Sequence, residues 1–111
     1  VIGRGEYAEL VLECVERVPP GHVTTYGSIA EALGPVAGGG GPRQVGSVLA
    51  TDGGAVPWWR VVRADGTLPS GHVDRARSRH LAEGTPMRPS GRVDLPRAFV
   101  AATAPGGSWP A

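Results

Sequence analysis

Glycine and proline punctuate this chain densely enough to set what it can fold into. Eighteen Gly and 11 Pro make up 26% of 111 residues, so its regular elements must be short and its connections long. A Gly and Pro fraction of this size without a repeat elsewhere marks low complexity. Here the apolar residues keep clear periodicity between the Gly and Pro clusters, which marks a folded domain with long loops. Leu, Ile, Val and Phe number 7, 2, 14 and 1, or 22% of the chain, only just above the roughly 20% at which disorder is expected. The core is therefore thin, and the length fits one domain over residues 1–111.

The first periodic segment runs from Glu6 to Val18, with Tyr7, Leu10, Val11, Cys14, Val15 and Val18 on one stripe and Glu6, Glu9, Glu13, Glu16 and Arg17 off it. That spacing predicts an amphipathic helix ended by Pro19-Pro20-Gly21. A second helix is expected with Thr25 as its N-cap, Ile29 and Leu33 turned inward, and a stop at Gly34-Pro35. Gly38 to Gly41 reads as slack between helices. Pro42 suits the first position of a third helix running to about Ala50.

The third helix has two faces. Val45, Val48 and Leu49 form an apolar one, while Arg43, Gly46, Ser47 and Ala50 form a face of small side chains led by one arginine. A Gly inside a helix weakens it by about 1 kcal/mol relative to Ala, so that face implies a close approach. The two helices and their turn predict a helix-turn-helix able to lie in a groove, with tight helix packing as the alternative.

After the turn Asp52-Gly53-Gly54, residues Ala55 to Arg63 read as a buried extended segment, in which Trp58 and Trp59 would point to opposite faces. A short helix over Asp74 to Glu83 would place Val73, Ala76, His80 and Leu81 on one side. Of the tail, Val93, Leu95 and Phe99 are the docking residues, and 103–111 is expected to be disordered.

All 11 basic residues are Arg, and the net charge is +1. Residues 1–42 hold two Arg against five Glu and residues 43–111 hold nine Arg against five acids, so the basic second half can face phosphate or simply be a solvated surface. The lone Cys14 forms no internal disulfide and, with three His, builds no thiolate metal site. It lies on a buried stripe, which suits a core residue rather than a nucleophile. No metal or cofactor is implied. The single thiol fits a reducing cytoplasm, and with no apolar run near 20 residues the chain is expected to be soluble, with no membrane partner.

Residues 18–27 (Val-Pro-Pro-Gly-His-Val-Thr-Thr-Tyr-Gly), Arg43-Gln44-Val45-Gly46, Pro57-Trp58-Trp59-Arg60-Val61-Val62 and Leu81-Ala82-Glu83-Gly84 occur in that order. In these segments the chain resembles the DNA-binding domain of O6-alkylguanine-DNA alkyltransferases over residues 6 to about 84. Trp58 stands where that family has its alkyl-accepting Cys, and Trp59 where it has a His. Of the relay that forms the thiolate, only Glu83 is kept. Indole is neither a useful nucleophile nor a proton acceptor. The chain is therefore similar to the alkyltransferase-like proteins, which bind alkylated guanine without repairing it.

The resemblance implies a mainly α fold with a small extended or β element, a winged helix-turn-helix-like DNA-binding domain of the alkyltransferase type. It also implies a monomer without catalytic residues, located in the cytoplasm and on the nucleoid when DNA-bound. Its partners would be double-stranded DNA containing O6-alkylguanine and nucleotide excision repair proteins. Arg43 matches the arginine that fills the space of a flipped nucleotide, Tyr26 the tyrosine that rotates the phosphate, and Gly46, Ser47 and Ala50 the face laid in the minor groove. Trp58, Arg60, Val61 and Ser70, with Tyr26, match the lesion pocket. The lid aromatic of the family is Pro69 here and its hinge Asn is Asp52. Beside this stand other readings from the residues: a sequence-specific helix-turn-helix regulator with both Trp in the core, an enzyme using Cys14, or a small-ligand site at the Trp pair.

Overall fold

A computed structural model describes residues 2–104. Helix α1 (Arg4–Glu16) is followed by strand β1 (Thr24–Thr25), helix α2 (Tyr26–Ala37) and helix α3 (Pro42–Asp52). Two 3-10 turns, Gly53–Ala55 and Trp58–Arg60, lead into strand β2 (Val61–Val62), and helices α4 (Val73–Glu83) and α5 (Leu95–Ala98) complete the described chain. The fold is thus mainly helical with one two-stranded parallel sheet, in which Thr24 pairs with Val61 and Thr25 with Val62.

The stripe read on α1 is the one that is buried, since Val11 and Val15 are fully enclosed and Cys14 nearly so. They meet Ile29 and Leu33 of α2 and Val45 of α3 in a first core. Each of these aliphatic side chains contributes about 1.5 to 3 kcal/mol by leaving water. A second core gathers Val23, Val62, Leu68, Ala76, Val93 and Ala98 under α4. The two-residue period of a strand explains how the cores are joined: Val61 belongs to the first and its neighbour Val62 to the second.

Local signals set the helix ends. Thr25 caps α2 by accepting the Ser28 N–H at 3.0 Å, worth about 1 kcal/mol. Pro42 occupies the first turn of α3, and the Gln44 side chain accepts the Gly41 N–H at 2.9 Å. The expected stop at Gly34-Pro35 does not occur, because α2 continues to Ala37 and closes on a left-handed Gly38. Part of the clash by which a proline disfavours helical backbone in the residue before it is with that residue's Cβ, and here that residue is Gly34, which has none. Gly38 to Gly41 is not mere slack either. Gly38, Gly39 and Gly40 all have positive φ, and a Cβ on Gly40 would stand 2.9 Å from the Tyr7 hydroxyl, so this turn needs glycine to pass α1.

The segment around the tryptophans departs most from its sequence reading. Pro57 (φ −74°, ψ 68°) forms an inverse γ-turn in which the Trp58 N–H donates to the Val56 carbonyl at 2.7 Å. The Arg60 N–H then donates to the Pro57 carbonyl. Only Val61 and Val62 form a strand, so the indoles do not alternate across one. They meet edge to face, with centroids 5.7 Å apart and planes at 86°.

Three further expectations are corrected. Leu81 does not join the packed side of α4, since it is 69% exposed while Ala76 and His80 are fully buried. Of the three docking residues, Val93 is buried and Leu95 packs on the second core, but Phe99 is exposed and docks through its backbone beside Val23. Thr103 is held rather than frayed, its carbonyl accepting the Cys14 thiol at 3.4 Å and its hydroxyl the Arg17 Nε–H at 3.1 Å. The rest of the expected disordered tail, 105–111, lies outside the described residues. Among the described residues no helix is long and apolar enough to cross a membrane, and no cluster of His, Cys, Asp or Glu could hold a metal ion.

Candidate nucleic-acid interface

Helix α3 forms one wall of a cleft of about 690 Å³. Its contribution is Pro42, Arg43, Gly46, Leu49 and Ala50, which includes most of the small face read from the sequence. Tyr26, at the start of α2, stands beside Gly46, and Trp58 closes the wall beyond Gly53 and Gly54. The opposite wall consists of Arg63, Pro69, Ser70, His72 and Arg75, from the loop after β2 and the first turn of α4.

Gly46 shows what the small face is for. A Cβ added there would meet only the Tyr26 ring at 3.9 Å, an ordinary contact. Internal packing therefore has room for alanine, and the absent side chain leaves space in the cleft instead. Gly46→Ala is expected to raise the stability of the free protein by about 1 kcal/mol and at the same time to weaken DNA binding. A melting curve and a DNA titration on the same variant check the two opposite signs.

Six of the nine residues matched to DNA or lesion contacts line this cleft: Tyr26, Arg43, Gly46, Ala50, Trp58 and Ser70. The other three do not. Ser47 faces a separate hollow of about 510 Å³ on the far side of α3, bounded by the start of α1 and the Gly38–Gly40 turn. Val61 is fully enclosed in the first core. Arg60 turns away to Glu83, where its Nε and Nη2 donate to the two carboxylate oxygens at 3.1 and 2.6 Å and its Nη1 donates to the Val18 carbonyl at 3.0 Å.

Glu83 also accepts the Trp59 indole N–H at 3.0 Å and the Gly21 N–H at 3.3 Å. One carboxylate thus ties the end of α4 to the tryptophan turn and to the loop after α1. Burial alone would raise its pKa, but the hydrogen bonds from Arg60, Trp59 and Gly21 outweigh burial and hold it below the ordinary glutamate range. Trp59 completes the clamp, with the Arg79 guanidinium 4.8 Å and that of Arg60 5.5 Å from its ring centroid. Trp59 is therefore a structural residue, and Trp58 is the indole that faces the cleft.

His80 locks the same turn from below. Its Nε2–H donates to the Trp59 carbonyl at 2.7 Å and its Nδ1 accepts the Thr85 hydroxyl at 2.9 Å. Burial holds its pKa below the ordinary 6.5. Both groups have folded pKa values beneath their unfolded ones, so on acidification the unfolded chain takes up protons first and stability falls as pH falls. The His80 contribution is full above about 6.5 and is lost as pH falls below that value. The Glu83 contribution is full above about 4.5 and is lost at still lower pH. Thermal midpoints measured from pH 8 to pH 3 are expected to decline in those two windows, and His80→Gln should flatten the upper one.

Arg63, His72 and Arg75 are cleft residues that sequence reading missed. A signal for Arg75 was present: it lies four residues before Arg79, on the same helix face, and that face presents Arg75 to Trp58 and Arg79 to Trp59.

The chain matches the family model of the 6-O-methylguanine DNA methyltransferase DNA-binding domain over residues 6–85. It is 39% identical over 95 residues to the DNA base-flipping protein of Escherichia coli (strain K12), a match covering 82% of this chain and 71% of that protein. It is 32% identical over 89 residues to the DNA base-flipping protein of Vibrio parahaemolyticus, covering 77% and 86%. Its fold is similar to that of S. pombe Atl1, solved in complex with damaged DNA containing O6-carboxymethylguanine, with a TM-score of 0.75, 28% identity, and coverage of 89% and 98%. A helix-turn-helix that presents a small-residue face beside an arginine-lined cleft, together with these matches, shows that the chain belongs to the family of the 6-O-methylguanine DNA methyltransferase DNA-binding domain, in its alkyltransferase-like branch.

Proposed function

We propose that this protein is a non-enzymatic sensor of O6-alkylguanine in double-stranded DNA. Helix α3 lies in the minor groove, where a width of about 6 Å favours Gly46 and Ala50. Arg43 fills the space left in the stack, and the modified nucleotide turns out into the cleft against Trp58. Flipping costs a few kcal/mol and exposes a base edge that cannot be inspected in the stack. The lesion so held is then presented to nucleotide excision repair.

The observation that carries this reading is the indole of Trp58 at the cleft wall, where the resemblance aligns the alkyl-accepting cysteine. The sequence has one thiol, Cys14, and it is buried in the first core, where burial pushes its pKa up to about 11. A thiolate there is scarce at neutral pH. Relatives named as base-flipping proteins, and a similar fold solved with damaged DNA, support the same conclusion.

Incubation with a duplex carrying labelled O6-methylguanine tests the absence of transfer. The label is expected to stay on the DNA, and stoichiometric label on Cys14 would overturn the proposal.

A further inference from the structure

The cleft is lined by three arginines, Arg43, Arg63 and Arg75, and by His72, with no Asp or Glu among its lining residues. Phosphates outside the cleft account for cations at its rim. They do not account for where Arg75 is placed. Its guanidinium carbon lies 5.7 Å from the centroid of Trp58, and the His72 ring packs on the same indole at 5.6 Å. Arg75 makes no hydrogen bond or ion pair among the described residues, and the adjacent Asp74 lies 3.9 Å from Arg77 instead. Its fork of N–H donors thus stands beside the cleft indole with no acceptor among the described residues, and such a fork matches a carboxylate.

A base stacked on Trp58 would bring its O6 substituent to this cationic end of the cleft. We infer that the site selects anionic O6 substituents, binding a carboxylate-bearing adduct more tightly than a neutral one of the same size, and that Arg75 sets this preference. The inference rests on the lesion-sensor reading and adds the chemical class of adduct to it. A guanidinium and a carboxylate brought together in a partly water-filled cleft form a charge-assisted pair of moderate strength, on the order of five- to tenfold in affinity.

Three duplexes of one sequence test it, bearing guanine, O6-carboxymethylguanine or O6-carbamoylmethylguanine, the last a neutral amide of nearly the same shape. Each is titrated with the wild-type protein, Arg75→Gln and Arg75→Lys over a range of salt. The wild type is expected to bind the carboxymethyl duplex about five- to tenfold more tightly than the carbamoylmethyl duplex. Arg75→Gln should bring that ratio close to one while still preferring the carbamoylmethyl adduct to guanine, and Arg75→Lys should keep part of the ratio. Equal wild-type affinity for the two adducts would overturn the inference and leave the sensor reading intact. So would an Arg75→Gln variant that weakens all three duplexes equally and lowers the salt slope by about one, which would make Arg75 a phosphate contact. A wild-type protein that binds all three duplexes alike would overturn the sensor reading itself.

Discussion

Arg43→Ala is expected to weaken binding to O6-methylguanine DNA by about 30-fold or more, on the order of 2 kcal/mol, the range of an arginine at the centre of an interface. Arg43 is exposed at the second position of α3 and makes no hydrogen bond or ion pair among the described residues, so its loss should leave the melting midpoint unchanged. Its place in the chain gives it the reach. Gly46 and Ala50 follow it at i+3 and i+7 on the same face, so nothing on that side holds the guanidinium back from the DNA. A surface arginine that only neutralises a phosphate behaves differently: it lowers the salt slope by about one and acts alike on all duplexes. If Arg43→Ala shows only that uniform loss, the insertion role is wrong. A loss larger on alkylated than on normal DNA is the expected result.

The second large effect is at Trp58. Base stacking on an aromatic side chain is worth about 1 to 3 kcal/mol, so Trp58→Ala should erase most of the preference for the lesion while weak general DNA binding persists. The protein should remain folded, since Trp58 borders the second core without belonging to its buried set. Trp59→Ala is the matched control. It removes the indole that donates to Glu83 and packs against two guanidinium groups, and it should lower stability by about 2 kcal/mol or more. Melting midpoints of the two variants decide the matter: if Trp58→Ala is the less stable, the roles of the two indoles are exchanged.

The parts of this fold that were legible in the sequence are those fixed by neighbours along the chain. The stripe from Tyr7 to Val15 has to form a helix with that face inward, Thr25 and Pro42 announce helix starts, and the small face of α3 can be read from its i, i+3 and i+7 spacing. What was not legible depends on contacts made at long range. Pro57 to Val62 has the composition of a strand, yet Arg60 is drawn to Glu83, 23 residues on, and the His80 ring holds the Trp59 carbonyl. Turns thereby replace all of the expected strand but Val61 and Val62. The same clamp removes Arg60 from the pocket that the resemblance assigned to it. The far wall of the cleft was hidden for a related reason: Arg63, His72 and Arg75 are spread over 13 positions of loop and helix, and only the packing of α4 against the tryptophan turn brings them to one side.

The central claim, recognition of a modified base without chemistry, is tested most directly by one equilibrium titration. Two duplexes of identical sequence, one with guanine and one with O6-methylguanine at a single position, are titrated with the wild-type protein at one stated salt concentration, and the mass of the protein is read at the end point. The account predicts a preference for the O6-methylguanine duplex of about tenfold or more, equivalent to roughly 1.4 kcal/mol, with the protein mass unchanged. Equal affinity for the two duplexes, or a protein heavier by one methyl group, would contradict it.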